Sequence, residues 1–432
     1  MNIMKLDLKK SPYLTIYFIV FIFSLFYRLY NQILSGYYKE SWNITEWLIN
    51  YQGGFVRRGL TGEILFQFNR FFSIDIYTTI IILSLFLFGG LTFFFFRSFV
   101  KNGYPIFILP CVFFMGNPIL CDFWVRKDTF LLIIFIVVLY LVTKAPKFYL
   151  LIINILLILT LLIHESISFI CFPILLFLLS DKFRNYSKRN PNFLKSFMLS
   201  ALSLSPTLLV FLILILNNGD IDIANAIWQS WQSVDFPHNT YIVELPSAID
   251  AISWTMDVQI YQTYQFLHLF SNGIYAPLAL AMTIIIIYYI LSNMNKLDDK
   301  ILTYQPKVIK DNMGISVALV FQFCSLLFLF MFACDYSRTI FYWVASSFAL
   351  VTIVPSSKLL SAVPQFVICF TKRLNQFITL NIGNSKGVIV ILSLVVGIYA
   401  YSWDFYGAIS NSSLYIVLSD LSHFIRGCAD FF

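Results

Sequence analysis

Charge is scarce in this sequence: 12% of its 432 residues are Asp, Glu, Lys or Arg, while 59% are hydrophobic. With a mean hydropathy of +0.79, the chain falls outside the composition of soluble globular proteins. Metal and redox motifs are missing as well. The seven cysteines (Cys111, Cys121, Cys171, Cys324, Cys334, Cys369 and Cys428) stand singly, mostly inside apolar runs, without CxxC or zinc spacing. They read as small core residues and do not set the compartment. Cys121 and Cys334 lie near the same surface, a placement that would allow a disulfide. No nucleotide-binding glycine loop, Ser-His-Asp order or internal repeat is present, and no nucleic-acid partner is expected. The first apolar run, Tyr13 to Tyr27, lacks a small-residue cleavage site and continues into aromatic, polar sequence, so it reads as a membrane helix rather than a leader.

What the chain has in abundance is apolar runs long enough to cross a bilayer core of roughly 30 Å, which takes about 20 helical residues each. Reading between charged and turn-rich breaks predicts helices near 13–35, 76–96, 104–120, 127–143, 148–163, 166–180, 196–216, 273–292, 313–333, 339–356 and 387–402. The expected fold is therefore an all-α polytopic integral membrane protein, one transmembrane domain of about eleven helices spanning residues 1–432. Two long outer segments interrupt it, 36–75 and 217–272, both with room for partly amphipathic helices. Residues 357–386, around Phe366, Phe370 and Lys372, look like a helix lying in the interface.

Orientation follows from basic residues, which cytoplasmic loops retain. Placing Lys5, Lys9 and Lys10 inside puts 20 of the 29 Lys and Arg on that side, with five acids, for a net +15. The outer face is left at −8, which recovers the overall +7. This predicts a bacterial inner-membrane protein, multi-pass, with a cytoplasmic N-terminus and an active face turned to the periplasm.

Cations on that outer face run against the charge bias, and four places hold them or sit among them. The loop Tyr51 to Leu60, YQGGFVRRGL, sets Gly53 and Gly54 before Arg57 and Arg58. Glycines permit close backbone approach and guanidiniums bind phosphate bidentately, so the loop suits an oxyanion. Snorkelling to lipid head groups is the structural alternative. Arg126, Lys127 and Asp128 open the fourth span. An acid at a helix start is stabilised by the macrodipole, but two cations there gain nothing from it. His164 and Glu165 form a tight outer turn, where desolvation would raise the carboxylate pKa towards that of a general base, or where the pair simply caps the turn. Asp335 and Arg338 lie i to i+3 at another outer turn, either paired with each other or with the Asp orienting the Arg towards phosphate. Four separate turns thus gather ionisable groups at one depth. Outside the cell membrane there is no ATP or sugar nucleotide, so the activated substrates that remain are polyprenyl-linked donors.

In these residues the chain resembles the Wzy-type O-antigen and capsular polysaccharide polymerases, in particular their EpsG-like branch. The likeness lies in Arg126 within VRKD and, one hairpin later, His164 within IHES, and it covers about residues 50–340. The Glu after His164 and the Lys-Asp after Arg126 depart from that pattern. The resemblance implies transfer of a growing chain from undecaprenyl diphosphate to a new lipid-linked repeat unit. No metal and no cofactor are expected, because the lipid-linked donor carries the energy. Arg57, Arg58, Arg126 and Arg338 would hold diphosphate, with Lys127 a weaker candidate and Gly53, Gly54 and Asp335 in support. Glu165 or Asp128 would deprotonate the acceptor hydroxyl, with His164 orienting it. Trp228, Trp231 and Trp254 would stack on sugar faces, or form an aromatic interface belt. The implied partners are undecaprenyl-diphosphate-linked oligosaccharides and membrane lipids, together with a chain-length regulator and a flippase. Competing readings are a polyprenyl-phosphate-dependent transferase of the GT-C kind, for which Glu46 and Glu63 would matter most, and a lipid-linked oligosaccharide flippase, which should show paired repeats and midplane polar residues.

Overall fold

The computed structural model describes residues 12–186, 192–237, 245–269, 275–297, 312–332, 335–383, 385–398 and 410–429. It is 79% helical, and among the described residues the only β contact is an isolated bridge between Gly397 and Ser412. Helix α1 (Pro12–Ser35) begins on proline, whose missing N–H is no loss in a first turn. Two helices, α2 (Trp42–Leu48) and α3 (Gly59–Phe72), follow within residues 36–75, the first of the two long segments that the charge pattern reads as outer. Helix α4 (Ile76–Asn102) starts where Asp75 accepts the Thr78 N–H at 3.1 Å and stops at Gly103, in the left-handed region at φ 69°.

Past α4 the structure departs from the expected helix over 104–120. Only a 3₁₀ turn (Ile106–Ile108) and the short α5 (Asn117–Leu120) are helical there. The segment carries Pro105, Pro110 and Pro118, and each proline removes a donor and disfavours helix in the residue before it. Apolarity is retained because the coil is buried, Val112, Phe113 and Phe114 having no exposed surface. Its backbone is satisfied through turns, such as Phe114 N–H to Cys111 O at 2.9 Å and Met115 N–H to Leu109 O at 3.1 Å, as irregular chain away from water requires.

The next helices are α6 (Asp128–Lys144), α7 (Tyr149–Ile163), α8 (Ile167–Tyr186), α9 (Phe193–Ser203) and α10 (Ser205–Leu216). Between α9 and α10 the axis bends by 65°, because Pro206 cannot donate to the preceding turn. Residues 217–272, the second segment read as outer, hold α11 (Ile221–Ser230), α12 (Ser247–Asp250) and α13 (Met256–Leu269). Then come α14 (Tyr275–Asn293), α15 (Asn312–Ser325), α16 (Leu327–Phe332), α17 (Tyr336–Ile353), α18 (Ser356–Ala362), α19 (Gln365–Ile382), α20 (Lys386–Val395) and α21 (Ser413–Ala429). Helix α19 leaves Phe366, Phe370, Phe377 and Leu380 exposed along its length. Of the last expected span, 387–402, the helical part ends at Val395; residues 399–409, like Cys334 of the suggested disulfide, lie outside the described residues.

Among the described residues, three helices are long and apolar enough to cross a membrane, Pro12–Ser35, Ile76–Asn102 and Pro277–Leu297, or up to six if each of three bent pairs counts as one span. Two shorter apolar helices, Tyr149–Ile163 and Met313–Ser325, accompany them. This architecture is compatible with a helical membrane protein.

Two features position the site. Helix α17 is buried around nearly its whole circumference, from Tyr336 to Val351, so it forms the core post against which α5, α6 and α15 pack. The two long outer segments also lock onto each other. Lys39 Nζ donates to Trp231 O at 2.7 Å and Val234 O at 2.8 Å, and Trp231 Nε1 donates to Leu48 O at 2.7 Å. Asn50 Nδ2 adds a bond to Ser230 Oγ at 2.8 Å. Together they make a layer over the ends of α6, α7 and α17.

The buried coil gives a direct test of the packing. A Cβ on Gly116 would stand 2.3 Å from Pro110 O, whereas one on Gly89 in α4 meets nothing within 4 Å. Gly116→Ala should destabilise the detergent-solubilised protein by about 1–3 kcal/mol through overpacking. Gly89→Ala should be neutral or stabilising by up to about 1 kcal/mol. Thermal unfolding of the two variants side by side checks the difference.

Candidate functional site

Five chain segments deliver charged side chains to one place beneath the layer. Helix α2 sets Trp42 and Glu46 one turn apart on a common face. The α2–α3 connection brings Arg57 and Arg58, the start of α6 brings Arg126, Lys127 and Asp128, the α7–α8 turn brings His164 and Glu165, and the start of α17 brings Asp335 and Arg338.

Glu46 is the centre of this network, with no exposed surface. Arg126 Nε donates to its Oε2 at 2.8 Å and Arg126 Nη1 to Asp335 Oδ2 at 3.1 Å. His164 Nε2 lies 3.2 Å from Glu46 Oε1, and the Ser166 N–H points at His164 Nδ1 from 3.2 Å. The neutral imidazole therefore carries its proton on Nε2, facing the carboxylate. Burial alone would raise the Glu46 pKa, but Arg126, His164 and Arg338 hold it well below the usual carboxylate range. Arg338 Nε donates to Asp128 Oδ1 at 2.9 Å and Arg338 Nη1 to Asp335 Oδ2 at 2.8 Å, so the i to i+3 pair forms and is shared with two further partners.

A second cluster adjoins the first. Arg58 grips Glu165 in a fork, Nε lying 3.0 and 2.9 Å from the two carboxylate oxygens with Nη2 on Oε1 as well. Arg57 reaches the same Oε1 from 3.5 Å, and its own Nε is buried without an acceptor. Arg58 adopts φ 67° at the start of α3, a left-handed conformation uncommon outside glycine that costs on the order of 1 kcal/mol or more. Lys127 Nζ, with no exposed surface, ties the layer down by donating to Arg58 O at 3.3 Å and Ile163 O at 3.4 Å.

These contacts revise several expectations. The Glu165 pKa is not raised: burial pushes it up, but Arg58, His164 and Arg57 hold it well below the usual range. Burial and the neighbouring Arg58 also push the His164 imidazole below its ordinary value. Asp128 and Lys127 are fully buried and lie behind the chamber wall rather than on it. Gly53 and Gly54 serve packing and turning: a Cβ on Gly53 would stand 2.8 Å from Ile223 O in α11, and Gly54 sits at φ 126°. The Arg57 amide is already spent on Asn217 O at 3.2 Å, so it does not join a phosphate cradle. Of the three tryptophans expected to stack on sugars, Trp231 is fully buried against Phe66, and the Trp228 ring lies beside Lys39 Nζ, 5.3 Å from its centroid. Only Trp254 lines the chamber.

The chamber is a cavity of about 210 Å³, and Arg57, Arg58, Arg126, Arg338, His164, Glu165 and Trp42 all face it. Four arginines and Lys127 stand against four carboxylates, and burial pushes the Lys127 ammonium down to about 7, so with His164 neutral the network is close to charge balance. Four guanidiniums from three segments converge on the cavity, a geometry that suits an anion. Reasoning from sequence missed Trp42, whose ring packs under the Arg126 guanidinium at 5.6 Å, and gave Glu46 weight only in a competing scheme. The i to i+4 spacing of Trp42 and Glu46 was the available signal. Among the described residues, no group of three or more His, Cys, Asp or Glu side chains is arranged to hold a metal ion. Compared with family models, curated proteins and solved structures, the chain finds no match, so the site has to be interpreted from its own chemistry.

Glu46 should be the carboxylate the network can least spare. Glu46→Ala takes from the buried Arg126 its fully buried partner, leaving it only the part-exposed Asp335, and should cost about 3–5 kcal/mol, as removing one member of a buried pair does. Asp335, whose side chain is 44% exposed, should cost well under half of that on change to Asn, because solvent screens the loss. Unfolding midpoints of the two variants in one detergent would decide the ranking, and equal shifts would refute it.

Proposed function

We propose that this chain is a polysaccharide polymerase of a bacterial inner membrane, moving a glycan chain from undecaprenyl diphosphate to a hydroxyl of a new lipid-linked repeat unit on the periplasmic face. The observation that carries this reading is the arginine chamber, in which Arg57, Arg58, Arg126 and Arg338 surround one cavity at the ends of apolar helices. When the bond between sugar and diphosphate breaks, its electron pair passes to the leaving diphosphate. Guanidiniums fixed in advance stabilise that charge without reorganising. Glu165 acts here as a positioning group that aligns Arg58, and His164, held between Glu46 and the Ser166 amide, keeps the carboxylate network in register. The concentration of Lys and Arg in alternate loops supports a periplasmic orientation of the chamber, and the donor supplies the energy of the reaction.

A single-sugar transferase using polyprenyl phosphate, with Glu46 as its base, is the second reading. The position of Glu46 in the first outer segment favours it. Its full burial and its commitment to Arg126 and His164 weigh against a proton-abstracting role, so the polymerase is preferred.

Deleting the gene in a strain that makes a polymeric surface glycan should leave product carrying a single complete repeat unit. Undecorated lipid, or repeats lacking one sugar, would instead favour the single-sugar transferase. Arg57 is the informative substitution, since it carries one long ion pair and a buried Nε without an acceptor. Arg57→Ala should slow polymer formation by roughly 10–100-fold, the worth of a charged hydrogen bond of about 1.5–3 kcal/mol, while the unfolding midpoint stays nearly unchanged. Normal polymer from this variant would sink the diphosphate role of the chamber.

A further inference from the structure

The network around the arginine chamber contains no carboxylate free to take a proton. Glu46, Asp128, Glu165 and Asp335 are each paired with at least one guanidinium. A transfer to a hydroxyl nevertheless releases one. A second, larger cleft of about 600 Å³ shares a wall with the chamber, formed by Trp42, Arg126, Trp254, Gln262, Asp335 and Arg338. Its far side is polar and aromatic, with Tyr37, Tyr38, Asn43 and Asp122, the mixture that saccharide hydroxyls and ring faces require.

Asp122 pairs with no cation among the described residues. Its Oδ1 accepts the Tyr37 hydroxyl at 2.5 Å, while Oδ2 has only Asn43 Nδ2 at 3.5 Å, that amide being engaged with the Asp122 carbonyl at 2.8 Å. One carboxylate oxygen is thus fixed and the other open towards the cleft. The backbone at Asp122 is left-handed, at φ 53°, a strain that Asp tolerates better than most residues and that sets the side chain where the turn after α5 faces the cleft.

We infer that this larger cleft is the acceptor site for a saccharide hydroxyl and that Asp122 is the base that receives its proton. The inference rests on the polymerase reading and names the acceptor side of the same site. In the step, the acceptor O–H gives its proton to Asp122 Oδ2 and its oxygen forms a bond to the anomeric carbon. The bond from that carbon to the diphosphate oxygen breaks, with the electron pair going to the diphosphate beside the shared arginines. Asp122 later returns the proton to water. Burial supports the role, since it pushes the Asp122 carboxyl up to about 6 against the Tyr37 hydrogen bond that lowers it.

The test uses the full chain in detergent, the lipid-linked repeat unit accumulated by the deletion strain as substrate, and farnesyl diphosphate as a competitive probe of the chamber. Asp122→Asn, which the left-handed backbone accommodates, should lower kcat by about 100-fold or more, as loss of a general base does. Inhibition by farnesyl diphosphate should stay within about twofold of wild type, and Asp122→Glu should recover part of the rate. Wild-type kcat in Asp122→Asn overturns the assignment of Asp122 while leaving the polymerase in place. Loss of farnesyl diphosphate inhibition along with kcat makes Asp122 a structural residue and overturns it too. A wild-type chain that neither joins repeat units nor responds to farnesyl diphosphate overturns the polymerase reading itself, and the acceptor assignment with it.

Discussion

A carboxylate without access to water has to be neutralised or surrounded by cations, and at Glu46 the protein takes the second course. Everything around the site follows from that requirement. Arg126 must approach from the start of α6 and His164 from the α7–α8 turn. Arg126 in turn needs Asp335, and Arg338, which meets the same Asp335, also closes on Asp128. The pairings join α2, α6, α7, α8 and α17, which are far apart in sequence. Helix packing brings those ends together, and the charge network fixes their register to within hydrogen-bonding distance.

Much of this site was legible because charge is rare in the chain. Arg126, His164, Glu165 and Arg338 each stand out from long apolar stretches, so their convergence was readable from three turns. Glu46 was not, because it lies in a long outer segment among other polar residues, where an acid attracts no notice until its burial is known. The sign of the Glu165 pKa shift was out of reach for a related reason. Desolvation can be guessed from sequence, but the fork from Arg58, more than a hundred residues away, cannot, and it decides the outcome.

The fold was legible to a similar depth. Helices at 12–35, 76–102 and 336–353 lie close to where apolar runs placed them, and both long outer segments hold short helices. Residues 104–120 misled because apolarity measures burial rather than conformation, and a protein-buried coil is as apolar as a span. The prolines at 105, 110 and 118 carried the correct signal. Trp231 misled in the same way: an aromatic residue in a polar segment suggests a ligand face, yet its indole fills the seam between the two outer segments.

The network around the chamber, four arginines and Lys127 against four carboxylates, is close to charge balance, and this bears on how it would act in the proposed transfer. A fully uncompensated arginine cluster would hold a carrier diphosphate tightly at every stage, which lowers KM without raising kcat. Carboxylates that draw off most of the positive charge weaken that ground-state grip. During the reaction the diphosphate gains a further negative charge as its bond to the sugar breaks, and the guanidiniums already point at it. The interaction therefore strengthens as the bond breaks, which is the condition for speeding the chemical step. Glu165 is central to that balance: it sits where both Arg57 and Arg58 converge, so it keeps the two arginines oriented while limiting how tightly they hold an anion before the bond breaks.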